Sequence, residues 1–155
     1  MTDRQKYALL KAASFCAYQE RTVKETRQRL NDWELSEEEI VWVLEELKAQ
    51  NYLNEERFAR AFAGGKFRVK KWGRLKIRQE MKLKGVPNDL IQKGLTEIDG
   101  DDYEAVLRDL LEKKARSLRG EPTAVKQKLV RFALSRGFES DIVWDLLKSI
   151  ASEED

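Results

Sequence analysis

The chain of 155 residues has no histidine and a single cysteine, Cys16. Without histidine, the commonest general base and the commonest transition-metal ligand are missing, and no Ser/His/Asp or Cys/His arrangement can be built. One cysteine can neither close an intrachain disulfide nor form a cysteine-based zinc cage. Long apolar runs are absent too: nothing approaches the roughly 18 to 20 residues needed to span a bilayer, and the start "MTDRQKYALLKAASF" lacks an apolar core followed by a small-residue cleavage site. A cytoplasmic protein with no membrane partner is expected. Carboxylates with bound magnesium, or a desolvated lysine, remain formally open as catalysts. No acidic spacing repeats a known metal pattern, however, so no catalytic residue, cofactor or metal site is expected.

Proline and glycine are also scarce, at 2 and 8, while charged residues make up 37% and hydrophobic ones 41%, a balance that fits a folded chain. Apolar residues recur at three- and four-residue spacing, as in Ile40, Val43, Leu44 and Leu47. This is an all-α pattern. Thr22 with Glu25 and Ser36 with Glu39 form capping-box pairs, and Asn54, Asp101 and Glu121 before Pro122 offer further helix starts. Gly85, Gly120 and Gly137 mark helix ends.

Three segments align as helix end, tight turn and new helix: "RQRLNDWELSEEEIVWVL", "RQEMKLKGVPNDLIQKGL" and "KLVRFALSRGFESDIVWDLL". Leu35, Val86 and Phe138 occupy the turns, Ile40, Ile91 and Val143 follow, and the copies lie about fifty residues apart, a spacing that signals tandem architecture. A further helix precedes each pair. The expectation is therefore about nine helices in three three-helix repeats, 1–53, 54–100 and 101–155. Units this small have little core of their own and gain stability by stacking, so an elongated array is expected, compatible with a monomer.

Charge is unevenly distributed. The chain carries 30 Lys and Arg against 28 Asp and Glu, yet Gly64 to Gly85, "GGKFRVKKWGRLKIRQEMKLKG", holds nine basic residues against Glu80 alone. The closing helices of the repeats are poor major-groove readers, since the first, "SEEEIVWVLEELKAQ", sets five glutamates against Lys48. Positive charge lies instead on the first and second helices of repeats two and three, interleaved with Phe67, Trp72 and Phe132. Any one of these cations is readily a solvated surface group; their concentration is what argues for binding. The candidate binding residues are Lys66, Arg68, Lys70, Lys71, Trp72, Arg74, Lys76 and Arg78, with Lys113, Lys114, Arg116, Lys126 and Lys128 second.

Trp33, Trp42 and Trp144 read as packing anchors. Gly64 and Gly65 interrupt the fourth helix and mark close packing or a bend, and "DGDDYE" from Asp99 reads as a helix cap in preference to a cation site. Ile77 and Met81 form an apolar stripe that Leu75 and Leu83 miss, leaving those two as partly buried or as contact surface.

The stretch "NYLNEERFARAFAGGKFRVKKWGRLKIRQEMKLKGVPNDLIQKGL" resembles the RecX family of bacterial regulatory proteins, which bind the RecA recombinase. The likeness rests on Leu53 before a polar cap, Phe58-Ala59, a basic run into Gly73, Ile77 and Met81, and Lys84-Gly85-Val86 with Ile91 and Leu95. "RTVKETRQRLNDWELSEEEIVWVLEELKAQNYL" resembles the family's first repeat, and the third is weaker. Asn54 stands where an aspartate is usual and Met81 where a leucine is, both tolerable exchanges. The resemblance implies an array lying in the helical groove of the RecA filament and opposing its extension, ATP hydrolysis, strand exchange and co-protease activity in recombination, DNA repair and the SOS response. Against it stands a sequence-nonspecific module whose first partner is single- or double-stranded DNA.

Overall fold

A computed structural model describes residues 2–154. Among them are nine α-helices and no strand: α1 (Asp3–Tyr18), α2 (Val23–Asp32), α3 (Glu37–Ala49), α4 (Glu55–Gly65), α5 (Arg74–Leu83), α6 (Asn88–Leu95), α7 (Gly100–Arg116), α8 (Pro122–Ser135) and α9 (Ser140–Glu154). A five-residue π-helical turn, Lys66–Lys70, follows α4 directly. The all-α expectation holds.

Local chemistry sets most boundaries. In both expected capping boxes the hydroxyl accepts from the backbone N–H three residues on, at 3.1 Å for Thr22 and 3.2 Å for Ser36, while the glutamate reaches back to the cap's own N–H. Thr2 and Gln5 form a third box. Asn54 accepts from Arg57 N–H at 3.0 Å, as its short polar side chain suggests. The start of α7 differs from expectation. Asp99, in extended backbone, accepts from the N–H groups of Asp101 and Asp102 at 2.8 and 3.1 Å, so the helix begins at Gly100 and Asp101 lies inside its first turn. There Asp101 and Asp102 sit near the positive end of the helix dipole.

The described residues divide into two compact units, the first running to Ala61 and including Met81–Gly94, the second comprising Phe62–Glu80 and the chain from Leu95 on. In the first, α1 packs on α2 and α3 around Ala12, Leu30, Ile40, Val43 and Leu47, all almost fully buried. Trp33 and Trp42 close over this core as partly buried anchors. In the second, α8 packs on α7 and α9. Leu107, Leu111, Ala133, Phe138 and Val143 are buried there, and the rings of Phe67, Tyr103 and Phe138 follow one another at 5.7 and 5.1 Å between centroids. Trp144 departs from the anchor reading. It falls off the stripe of Val143, Leu146 and Leu147, is 42% exposed, and lies under the Lys126 ammonium.

The Ser36 cap is exposed and its hydroxyl serves α3 alone, so Ser36→Ala should lower stability by about 1 kcal/mol. Urea denaturation of the two proteins measures this directly.

Candidate functional site

The basic stretch begins where α4 changes pitch. Gly64 is buried, and a Cβ there would lie 2.8 Å from Arg68 Nη1, so the missing side chain lets the guanidinium settle on the helix. Gly65 has open space around it, and the helix passes both glycines unbroken into the π-turn. Of the π-turn's five residues, Phe67 is buried, while Arg68, Val69 and Lys70 are exposed. The turn closes on Lys71, left-handed at φ 59, whose N–H bonds Phe67 O while its ammonium caps Arg68 O at 2.9 Å.

Next the chain docks through its backbone. Gly73 N–H donates to Arg136 O at 2.7 Å and Leu75 N–H to Gly137 O at 2.9 Å. A Cβ on Gly73 would lie 2.3 Å from Gly137 C, and one on Gly137, itself at φ 95, would lie 2.4 Å from Lys76 Cβ. Only two glycines permit this approach.

Side chains reinforce it. Tyr103 donates its phenol proton to Glu139 and accepts from Arg74 N–H at 2.9 Å, while Arg74 Nη1 bonds Glu139 Oε2 at 3.0 Å with its guanidinium 3.9 Å from the Tyr103 ring centre. Arg74, a candidate binding residue, thus has its charge met inside the fold. Burial, and then the bond to Glu139, raise the Tyr103 phenol above its ordinary 10.0.

Every candidate side chain falls within this second unit. Arg68, Lys70, Lys71, Lys113, Arg116, Lys126 and Lys128 are exposed; Lys66, Trp72, Arg74, Lys76, Arg78 and Lys114 are half-buried. Lys113 pairs with Asp109 at 3.0 Å. Among the described residues, the candidate cations other than Arg74 and Lys113 have no carboxylate within 4.0 Å. Four of them lie over rings instead, one being Lys126 over Trp144. Lys66 and Lys76 lie 5.0 and 4.6 Å from the Trp72 ring centre, and Lys114 and Arg136 lie 5.3 and 5.1 Å from that of Phe132. Arg136, outside the candidate set, joins it through the turn that precedes Gly137. No group of three or more His, Cys, Asp or Glu that could hold a metal ion occurs among the described residues.

Profiles of the RecX first, second and third three-helix domains match residues 8–47, 54–95 and 101–147. The chain belongs to the RecX family. Regulatory protein RecX of Chromobacterium violaceum is 34% identical over 144 residues, 93% of this chain and 91% of the relative. That of Lactobacillus johnsonii is 32% identical over 157 aligned positions, which cover 99% of this chain and 58% of the longer relative. The crystal structure of RecX from Lactobacillus salivarius matches with a TM-score of 0.90 at 20% identity, covering 97% of this chain and 99% of that one, which establishes a shared fold. The RecX relatives are named as regulatory proteins, and no helix among the described residues here is long and apolar enough to cross a membrane.

Two outcomes follow from the docking geometry. Gly137→Ala adds backbone overlap to left-handed strain and should cost about 2 to 4 kcal/mol by denaturant unfolding. Tyr103→Phe should cost about 1 kcal/mol near neutral pH. Because the unfolded phenol ionises near pH 10 and the folded one later, native stability is intact below pH 10 and falls above it, by up to ~1.4 kcal/mol per pH unit. Tyr103→Phe should lack that portion of the alkaline slope, as urea titrations between pH 9 and 11 would reveal.

Proposed function

We propose that this protein binds the RecA nucleoprotein filament through the basic surface of its second unit and modulates it, mainly by inhibiting ATP hydrolysis, strand exchange and co-protease activity. Family membership supports the partner. The observation that carries the site is the run of cations from Lys66 to Arg78, held on a close backbone contact and, except for Arg74, without a carboxylate partner among the described residues. Such a surface suits acidic protein and nearby phosphates in a filament groove.

The action is non-enzymatic, carried out in the cytoplasm by a monomer of three repeats, 1–53, 54–100 and 101–155. Binding across neighbouring protomers shifts the filament only if affinity differs between its states. Direct contact with DNA is the competing use of the same cations.

ATP hydrolysis by RecA on single-stranded DNA, titrated with this protein, tests the proposal. Inhibition is expected well below one molecule per RecA protomer. A Lys70→Glu, Lys71→Glu variant, altered at two exposed positions, should need at least about tenfold more protein, the effect of losing roughly 1.4 kcal/mol of binding. No inhibition at excess, with tight salt-sensitive binding to bare DNA, would favour the DNA-binding reading.

A further inference from the structure

Leu75 lies off the apolar stripe of its helix and is 46% exposed. It has company. Leu134 on α8 is 41% exposed and Val69 on the π-turn 76%. Leu75 and Leu134 meet at one residue: Leu75 N–H donates to Gly137 O, and Gly137 N–H to Leu134 O at 3.0 Å. Trp72 stands immediately before Gly73, whose N–H is tied to Arg136 O. Lys66 and Lys76 lie over the Trp72 ring, Lys70 follows Val69 in the chain and Arg136 precedes Gly137; none of the four has a carboxylate within 4.0 Å among the described residues.

Exposed aliphatic side chains at this place separate two classes of partner. Nucleic acid offers phosphates to cations and base faces to aromatic rings, and it has little use for branched aliphatics. The aromatics here are already engaged. Phe67 is buried beside Tyr103, the Trp72 ring carries two ammonium groups, and the Phe132 ring carries an ammonium and a guanidinium. A stacking base would have to displace them. Protein interfaces, by contrast, place an apolar centre with tryptophan inside a charged rim.

We infer that Leu75 and Leu134, brought together at Gly137, with Val69 on the π-turn that leads into this segment, form the apolar anchor of a docking surface for a protein with an acidic rim and an apolar centre. The surrounding cations govern approach and register, and the aliphatic groups hold the complex. This rests on the filament reading above and names the chemistry by which that site takes protein in preference to DNA.

The test uses the full chain carrying Leu75→Ser and Leu134→Ser, with its fold checked by circular dichroism and thermal unfolding. Val69→Ser, at the most exposed position of the three, serves as a second variant. Binding is measured to RecA filaments assembled on single-stranded DNA and, separately, to the same DNA bare, at low and high salt. The double variant should bind filaments at least tenfold more weakly, with bare-DNA affinity within twofold of the native protein; Val69→Ser should shift filament binding in the same direction. Native-like filament binding by both variants would overturn the inference while leaving the filament reading standing. Parallel loss on bare DNA would overturn it in favour of a nucleic-acid contact. Failure of the native protein to bind filaments at all would remove the filament reading, and the inference with it.

Discussion

The contact between the backbones at Gly73 and Gly137 is the constraint on which the candidate surface depends. Two hydrogen bonds, from Gly73 N–H and Leu75 N–H to successive carbonyls, pin the segment between the π-turn and α5 to the turn joining α8 and α9. Side chains at either glycine would push these carbonyls out of reach. Because the bonds are made by main chain, the side chains of this segment are left to other tasks. Arg74 and Tyr103 use theirs on Glu139, which secures the junction, and the remaining cations of the segment have no carboxylate partner among the described residues.

That division of labour explains how a chain of formal net charge +2 can present a concentrated positive surface. Several acids elsewhere are occupied: Glu25 and Glu39 close capping boxes, Glu37 pairs with Arg27, and Glu153 takes both Nη groups of Arg108. Mutual repulsion among the unpaired cations is relieved locally by rings, since ammonium groups over Trp72 and Phe132 gain cation–π attraction without being neutralised. On the proposed reading, a protein that occupies a filament uses a pre-arranged surface of this kind.

Much of the fold was legible because its signals are local. Capping boxes at Thr22 and Ser36, and the left-handed glycines that follow α5 and α8 at positions 85 and 137, are each decided within a few residues, whereas Gly120 marks no helix end, since α7 stops at Arg116 and Gly120 lies in the loop before the Glu121 cap. Misreadings arose where neighbours competed. Asp99 and Asp101 are equally good caps by composition, and Asp99 won because its carboxylate reaches two N–H groups. Glu34, Asn51 and Lys71 also adopt left-handed backbone, which a search for glycine passes over. The π-turn has no compositional signature, and Gly64 and Gly65 drew attention one turn too early. For the candidate surface, charge density was visible in the sequence, while the internal use of Arg74, the addition of Arg136 and the open position of Trp144 depended on tertiary contacts that no spacing rule encodes.

Amide hydrogen exchange at Gly73 and Leu75 tests the central claim most directly. If their N–H groups bond Arg136 and Gly137 as described, both should exchange only with the cooperative opening of the second unit, at rates like those of amides in the middle of α7. Fast exchange at both positions, while α7 and α8 stay protected, would mean that the basic segment is not held by this contact and that the surface built on it is not pre-arranged.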